Sequence, residues 1–575
     1  MIGLNKIGLN QVQLNRLRLN APFPTCRKMA GGGGSGDGFP VLPGDVTRWH
    51  FGGLTNEMMA AMDDPRIEDA DGKGRFLSFK NFAWGGMSGV GGYVQNFNYF
   101  RNNATVDKVR IDEQSSNSIK VTLLTSGMGH VIYIPKDVYQ FNKSYFIKIS
   151  SEGYNEGDLF LSFYAPSTST ATTVKVPLNP NGITEIPAIK EDDFLAVYLF
   201  NAAGKVGSIT IEQLPLYPGA LVFDGVDDYG TCDNFPILTK EKGYTVIALR
   251  QRISMGEGIS GLVSNAKNWF KDGAFVLEYS YTKNSYFNRP VSFGAIGSEK
   301  DLPHILTYQT SKSYNGVSIA VGSFIGTDQL YVGKIKNIIE NCTNAAIWEL
   351  VILDHDATEE ELTKIKDYFV KTYPWLFPDQ AWTVVGKTNE DEDRATIANI
   401  TGNGNDLVLS NFGFAEGSGY NEQGEYAGYL VTDGVDDKIV SSIFGMGKDF
   451  TIVGDWKFID NKKSGTGLVK GSSFYIYNTM IGLDLYINSG SVKNSLDGIK
   501  SINAACSDGR AYDRNWNEIL ANTGNVVGSG GMLEVSSSGG RFDRIAFKNL
   551  AIYPRILSKD DCIKAYNYLQ TLKAK

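Results

Sequence analysis

The sequence predicts a mainly β, multidomain protein: two related sandwiches, a third β-sandwich inserted in the first copy, and short capping helices. Three observations point there. Glycine (64), tyrosine (29) and phenylalanine (31) are abundant in a chain that is 42% hydrophobic, which suits short strands joined by tight turns. The chain also resembles itself over long stretches. Finally, the spacing between the matching stretches breaks once, by the size of a small domain.

The matches run in chain order. WHFGGLTNE (49–57) pairs with WTVVGKTNE (382–390) at an offset of 333, and GKGRFLSFKNFAW (72–84) with GNGNDLVLSNFGF (402–414) at 330. LVFDGVDDYG (221–230) then pairs with LVTDGVDDKI (430–439) at only 209, and YTVIALRQRI (244–253) with FTIVGDWKFI (450–459) at 206. LVILDHDATEEELTKI (350–365) pairs last with LAIYPRILSKDDCIKA (550–565) at 200. The drop from 330 to 209 falls between Tyr93 and Leu221, so the first copy holds about 121 extra residues there. Eight short alternating or apolar runs fill that stretch, from KVRID to GSITIEQL, with turn residues between them. Such a pattern is that of a two-sheet sandwich or jelly roll.

The predicted division is a tag at 1–29, a Gly-rich linker at 30–48, a discontinuous first sandwich at 49–100 plus 217–377, an inserted sandwich at 101–216, and a second sandwich at 378–575. Each copy closes with a strand, a link and a helix. Thr358 and Ser558 supply cap oxygens ahead of acidic residues, which suit a helix N-terminus. Leu362, Ile365 and Phe369 form one apolar stripe, and Cys562, Ala565, Tyr568 and Leu569 the other. The helices are expected to cover a sheet edge or a sandwich end.

The repeated pentad DGVDD raises the question of chemistry. Asp-Gly favours a tight turn, because glycine accepts positive φ and aspartate bonds the backbone two residues on. A hairpin bend anchored by its acids is therefore the reading adopted. The alternative is calcium, with Asp224, Asp227 and Asp228, and again Asp433, Asp436 and Asp437, as hard oxygen ligands, although the spacing is not that of an EF-hand. No other cofactor is expected. A catalytic carboxylate pair ranks below both, since no acid–base context accompanies either copy.

LVFDGVDDYG, with its closing strand and helix, resembles laminin-G-like or concanavalin-like jelly rolls, whose early strands carry a similar Phe-Asp-Gly-x-Asp-Asp signature. That resemblance implies modules that bind glycans or protein partners, sometimes through calcium. The second copy departs from it, with Thr432 and Lys438 where the signature has aromatic residues. The GLN-rich start, NFAWGGMSGVGGY (81–93), IEQLPLYPGALVFDGVDDYG (211–230) and GKTNEDEDRATIANITGNGNDL (386–407) look like virion proteins of gut tailed phages, including the crAss-like group. They look equally like hypothetical proteins of the bacteria such phages infect. The resemblance implies a fibre-like or decorating virion component, made in the host cytoplasm and released by lysis. That route would account for a start without the continuous apolar core of a signal peptide.

Residues 2–20 repeat every five, as IGLN, KIGLN, QVQLN and RLRLN. Leu4, Leu9, Leu14 and Leu19 recur as inward candidates, and Asn5, Asn10, Asn15 and Asn20 as corners of a pentapeptide coil. Four copies cannot bury themselves, since stacked repeats need neighbours. The readings are thus a docking tag that binds other virion proteins through residues 1–29, or a disordered tail. A homo-oligomer is expected, with a trimer as the default by analogy with phage fibres.

A net charge of −8 argues against nucleic acid as a bulk partner, and no stretch is apolar enough for membrane insertion. Five dispersed cysteines suggest neither a disulfide framework nor a zinc site, and four histidines sit in no catalytic motif. No catalytic residues are assigned, and the chain is expected not to be an enzyme. The leading expectation is a structural, adhesive virion protein that touches host-surface glycans. Trp84, Trp269, Trp348, Trp456 and Trp516 are candidate sugar-stacking residues by type alone. A glycan depolymerase and a purely architectural component are the alternatives.

Overall fold

The computed structural model describes residues 38–574 apart from 104–106, 166–171, 192–193, 255–257, 267–272, 282–283, 290–291, 299–304, 320–323, 338–341, 423–425, 446, 460–465, 471–473, 479–481, 488–491, 498–501, 522–529, 536, 539–540 and 543. All named strand pairings are antiparallel and assemble into three sandwiches, two of them alike. The docking-tag residues Leu4, Leu9, Leu14, Leu19, Asn5, Asn10, Asn15 and Asn20 lie outside the described residues.

The likeness of the two large sandwiches is one of strand order. In the first, one sheet runs Gly89–Val90, Leu221–Asp224, Asn344–Leu353, Thr245–Ser254, Leu306–Thr310, Ser313–Tyr314, Val317–Ser318, with Val46–His50 also paired to Asn344–Leu353. In the second, the matching sheet runs Gly419–Asn421, Tyr429–Val431, Ile545–Tyr553, Thr451–Phe458, Ile502–Cys506, Arg510–Asp513, Glu518–Ala521, with Gln380–Thr383 also paired to Ile545–Tyr553. Their facing sheets follow a common order as well. One goes from Arg66–Glu68 through Phe76–Lys80 and Tyr229–Asp233 to Ser292–Ser298, the other from Thr396–Ile397 through Leu407–Ser410 and Lys438–Gly445 to Val492–Asp497.

Between the strands Gly89–Val90 and Leu221–Asp224 of the first copy stands the third sandwich, made of two five-stranded sheets. Its strands alternate as half-buried strands should: Ser118–Leu123 reads outward and inward by turns, placing Ile119, Val121 and Leu123 in a shared core with Ile209, Ile211 and Leu161. That core also takes in Val94, Phe97 and Phe100, so it reaches earlier in the chain than the predicted start at 101. The predicted linker likewise ends early, because Phe39 is buried and Val46–His50 is already a strand.

Strand Thr245–Ser254 shows how the large sandwiches join. Val246 and Ala248 face the inter-sheet core, alongside Trp49, Ile347 and Leu350. Ile247 and Leu249 face the other way, into a second apolar cluster that contains residues of both copies. In that cluster Ile365 and Phe369 of the helix Glu359–Thr372 meet Cys562, Ala565 and Leu569 of the helix Lys559–Gln570. The helices therefore pack on sheet faces and build a shared core, where the sequence suggested an edge or an end. Both have the expected caps. Thr358 and Glu361 form a reciprocal capping box, and Ser558 accepts from Asp561 N. The inserted sandwich joins the cluster through Phe146, whose ring meets Tyr566 edge-on at 5.4 Å, and the Arg514 guanidinium pairs with Glu185 at 3.2 Å. Among the described residues no helix is long and apolar enough to cross a membrane.

Candidate functional site

The pentads sit at equivalent bends, and their acids are wired alike. In the first copy, Asp224 Oδ1 accepts from Val226 N at 2.8 Å, a side-chain turn that leaves Val226 exposed at the tip. Gly225 holds φ at 84°, and a Cβ there would come within 2.7 Å of Asn344 Cβ, so the bend needs glycine twice over. Asp228 is fully buried. Its Oδ2 accepts from Asp224 N at 3.0 Å, and its Oδ1 from the Ser88 hydroxyl at 2.9 Å. Ser88 in turn accepts from Ala83 N at 2.8 Å, and Asn81 Nδ2 donates to the Asp227 carbonyl at 3.1 Å.

Every bond recurs in the second copy. Val435 N donates to Asp433 Oδ1 at 2.7 Å, Asp433 N to Asp437 Oδ2 at 2.8 Å, and the Ser418 hydroxyl to Asp437 Oδ1 at 3.1 Å. Gly413 N donates to Ser418 Oγ, and Asn411 Nδ2 to the Asp436 carbonyl at 3.0 Å. Asn81 and Asn411 both adopt positive φ, 67° and 68°, which asparagine tolerates better than most residues. Sequence reasoning matched Asn81 with Asn411 at the 330 offset but gave neither a role, and it passed over Ser88 and Ser418, which repeat at the same offset.

Burial is the chief cause that raises the buried acids' pKa values, to about 7 at Asp228 and about 6 at Asp437, against the pull of their hydrogen bonds. The bend is thus a place where a carboxyl group and a serine hydroxyl hold two distant chain segments together. The three carboxylates of each pentad also approach within 4.8 Å of one another, a spacing at which a hard cation could bridge them. The hydrogen bonds seen here are those of an anchored turn. Thr432 has a different role from its aromatic counterpart. Phe223 fills the inter-sheet core, while the Thr432 hydroxyl accepts from Ile545 N at 2.9 Å.

The tryptophan candidates require a correction. Trp348 is fully buried and donates Nε1–H to the Pro218 carbonyl at 2.8 Å. Trp456 and Trp516 are 2% exposed, and Trp84 is 9% exposed and stacked on Phe82 at 4.9 Å. An indole with both faces packed against protein offers no face to a sugar, so these four are core residues. Trp269 lies outside the described residues.

Among the described residues, one polar cluster belongs to the first copy alone. Buried Glu349 accepts from the Tyr368 and Tyr373 hydroxyls at 2.9 and 3.1 Å, meets His50 Nδ1 at 2.8 Å, and lies 3.5 Å from the Arg48 guanidinium. Burial and the Glu349 charge push the Tyr373 hydroxyl well above its ordinary range. At the aligned position the second copy has Asn549, whose Oδ1 accepts from Asp455 N at 3.1 Å. The cluster ties the strand Asn344–Leu353 to the helix Glu359–Thr372.

No protein-family model matches the chain, and no curated protein matches it. Among solved structures it is similar to Trypanosoma rangeli sialidase, with 10% identity over 91% of this chain and 99% of that one, at a TM-score of 0.24. It is similar also to the botulinum neurotoxin serotype D binding domain, with 11% identity over 60% of this chain and 89% of that one, at a TM-score of 0.24. Sialidases stand among these structures, so the expectation that the chain is not an enzyme is withdrawn; at TM-scores of 0.22 to 0.24 the likeness assigns the chain no activity.

Proposed function

We propose that this chain is a structural, adhesive protein of a tailed-phage particle, attached through residues 1–29 and presenting its sandwiches to glycans of the host surface. One observation carries the reading: three sandwiches are locked into a single body by a common apolar cluster rather than strung on flexible linkers. Polar contacts reinforce the lock. Gln251 Nε2 donates to the Thr571 hydroxyl at 2.9 Å, and the Tyr553 hydroxyl to the Trp375 carbonyl at 2.8 Å. A stiff body of this kind holds its surface sites at fixed spacing, which suits many weak contacts made at once. The sequence resemblance to gut-phage virion proteins supplies the setting.

The test has two parts. Labelled full-length protein is applied to a glycan array and to host cells, and antibodies to it are used to locate it on particles. Binding to surface glycans together with labelling of intact particles is the expected result. Particles without label, or protein that binds no glycan and no cell, would overturn the reading. Release of new reducing ends from host polysaccharide would assign a hydrolytic role as well.

A further inference from the structure

A cavity of about 440 Å³ opens where the two large sandwiches meet. One wall comes from the helix Glu359–Thr372 and the segment after it, the other from the second copy, so the cleft exists only because the copies are docked. Its volume falls in the range of small-ligand sites.

The walls are chemically mixed. Lys366 and Arg555 contribute two cations, against the single carboxylate of Asp379. Thr401 and Asn403 add a hydroxyl and an amide, while Leu376, Phe377, Pro554 and the buried Tyr568 complete the lining. Arg555 donates Nη1–H to the Val370 carbonyl at 3.0 Å, which fixes the guanidinium at the seam. Among the described residues neither Arg555 nor Lys366 pairs with a carboxylate. Burial lowers the Arg555 pKa from its ordinary value, the direction expected of a cation short of a counter-charge.

We propose that this inter-module cleft binds an anionic sugar unit, a pyranose bearing a carboxylate. The carboxylate meets Lys366 and Arg555, the ring lies on the apolar surface, and its hydroxyls reach Asp379 and Asn403. A guanidinium fork matches a carboxylate, and an acid on the same wall accepts from sugar hydroxyls while disfavouring a second negative charge. The inference rests on the adhesive reading above and deepens it by naming a sugar class and a site.

Calorimetric titration of the full chain with oligogalacturonate, with a neutral galactose oligomer and with inorganic phosphate tests it. Oligogalacturonate is expected to bind at least tenfold more tightly than the neutral oligomer, and less tightly as salt is raised. Lys366→Gln, on an exposed helical position, is expected to weaken that binding by about threefold to tenfold with an unchanged melting temperature. Arg555→Lys keeps the charge but loses the fork, and is expected to cost about tenfold. Equal binding of acidic and neutral oligomers, phosphate binding as tight as the acidic sugar, or wild-type affinity in both variants would overturn the proposal. If sugars bind with affinity untouched by either substitution, the cleft is wrong and the adhesive reading stands. If no sugar binds here or on the array, both fall.

Discussion

The Ser88 hydroxyl reaches Asp228 across 140 residues of chain, whereas the matching bond from Ser418 to Asp437 spans only 19. The difference, 121 residues, is the guest sandwich. The host tolerates it because the guest leaves and re-enters at adjacent backbone: Leu216 N donates to the Gly92 carbonyl at 2.9 Å, and Tyr217 N to the Gly91 carbonyl at 2.8 Å. With its ends pinned together, the guest costs the host little more than a loop, since closure entropy grows only slowly with length.

Excision tests this directly. Replacing residues 94–214 by a two-glycine link is expected to leave a folded protein that keeps the Ser88–Asp228 bond, as the second copy keeps its Ser418–Asp437 bond across only 19 residues. Hydrogen exchange over the strands Leu221–Asp224 and Asn344–Leu353 is the readout. Loss of protection there would show that the guest is required for the host's fold.

The serine contacts are expected to be worth little individually. Ser88→Ala and Ser418→Ala should each lower stability by about 2 kcal/mol, because each hydroxyl donates one hydrogen bond to a carboxylate and accepts another from a backbone N–H, at a usual net value of ~1 kcal/mol apiece. Similar shifts from both substitutions in thermal unfolding would confirm that the bends are equivalent. A loss several times larger in one copy would show that its serine has a further role.

The raised pKa of Asp228 sets the sign of a pH effect. A carboxyl group whose folded-state value lies above its unfolded one binds its proton more tightly when folded, so stability falls as pH rises between the two values. The contribution is fully present below about 3.8 and is lost as pH rises through about 7 at Asp228, or about 6 at Asp437. Asp228→Asn imitates the protonated form and does not titrate. Its melting temperature relative to wild type is therefore expected to climb from pH 5 to pH 8, with Asp437→Asn levelling off earlier. A difference independent of pH would refute the assignment.

Calcium provides a separate test of the same acids. Turns anchored by hydrogen bonds need no ion, so millimolar calcium and a chelator are expected to give the same melting temperature. A ligand that binds only the folded state at a hundred times its dissociation constant adds about 2.7 kcal/mol. A rise of several degrees, abolished in a variant carrying Asp227→Asn and Asp436→Asn, would instead establish the carboxylate trios as cation sites.

The legible parts of this protein are those written in local patterns. Thr358 and Glu361 announce a helix start within four residues, and the alternation of Ser118–Leu123 announces a strand within six. The duplication is legible because copies preserve spacing. Burial of a particular indole is not local: Trp348 meets the turn at Pro218, 130 residues away, and the Tyr217 ring beside it at 6.4 Å. The same holds for His50 and Glu349, 299 residues apart, and for Lys366 and Arg555, which share a cleft only because the copies dock. Asn81 and Asn411 lie between these extremes, since asparagine at a repeated strand end is itself a signal for positive φ.

Docking of the copies bears on the amino-terminal segment too. The described body begins with Phe39, whose ring is buried against Tyr368 at 5.1 Å with the Arg48 guanidinium 4.3 Å from its centre. The body therefore carries its own first anchor at Phe39. A chain lacking residues 1–30 is accordingly expected to melt within about a degree of the full protein and to bind the same sugars. Its incorporation into particles, measured by quantitative blotting against a major structural protein, is expected to be lost. Normal incorporation of the truncated chain would remove the docking role from the repeat and move it to the sandwiches. A truncated chain that fails to fold would show instead that the repeat belongs to the body it precedes.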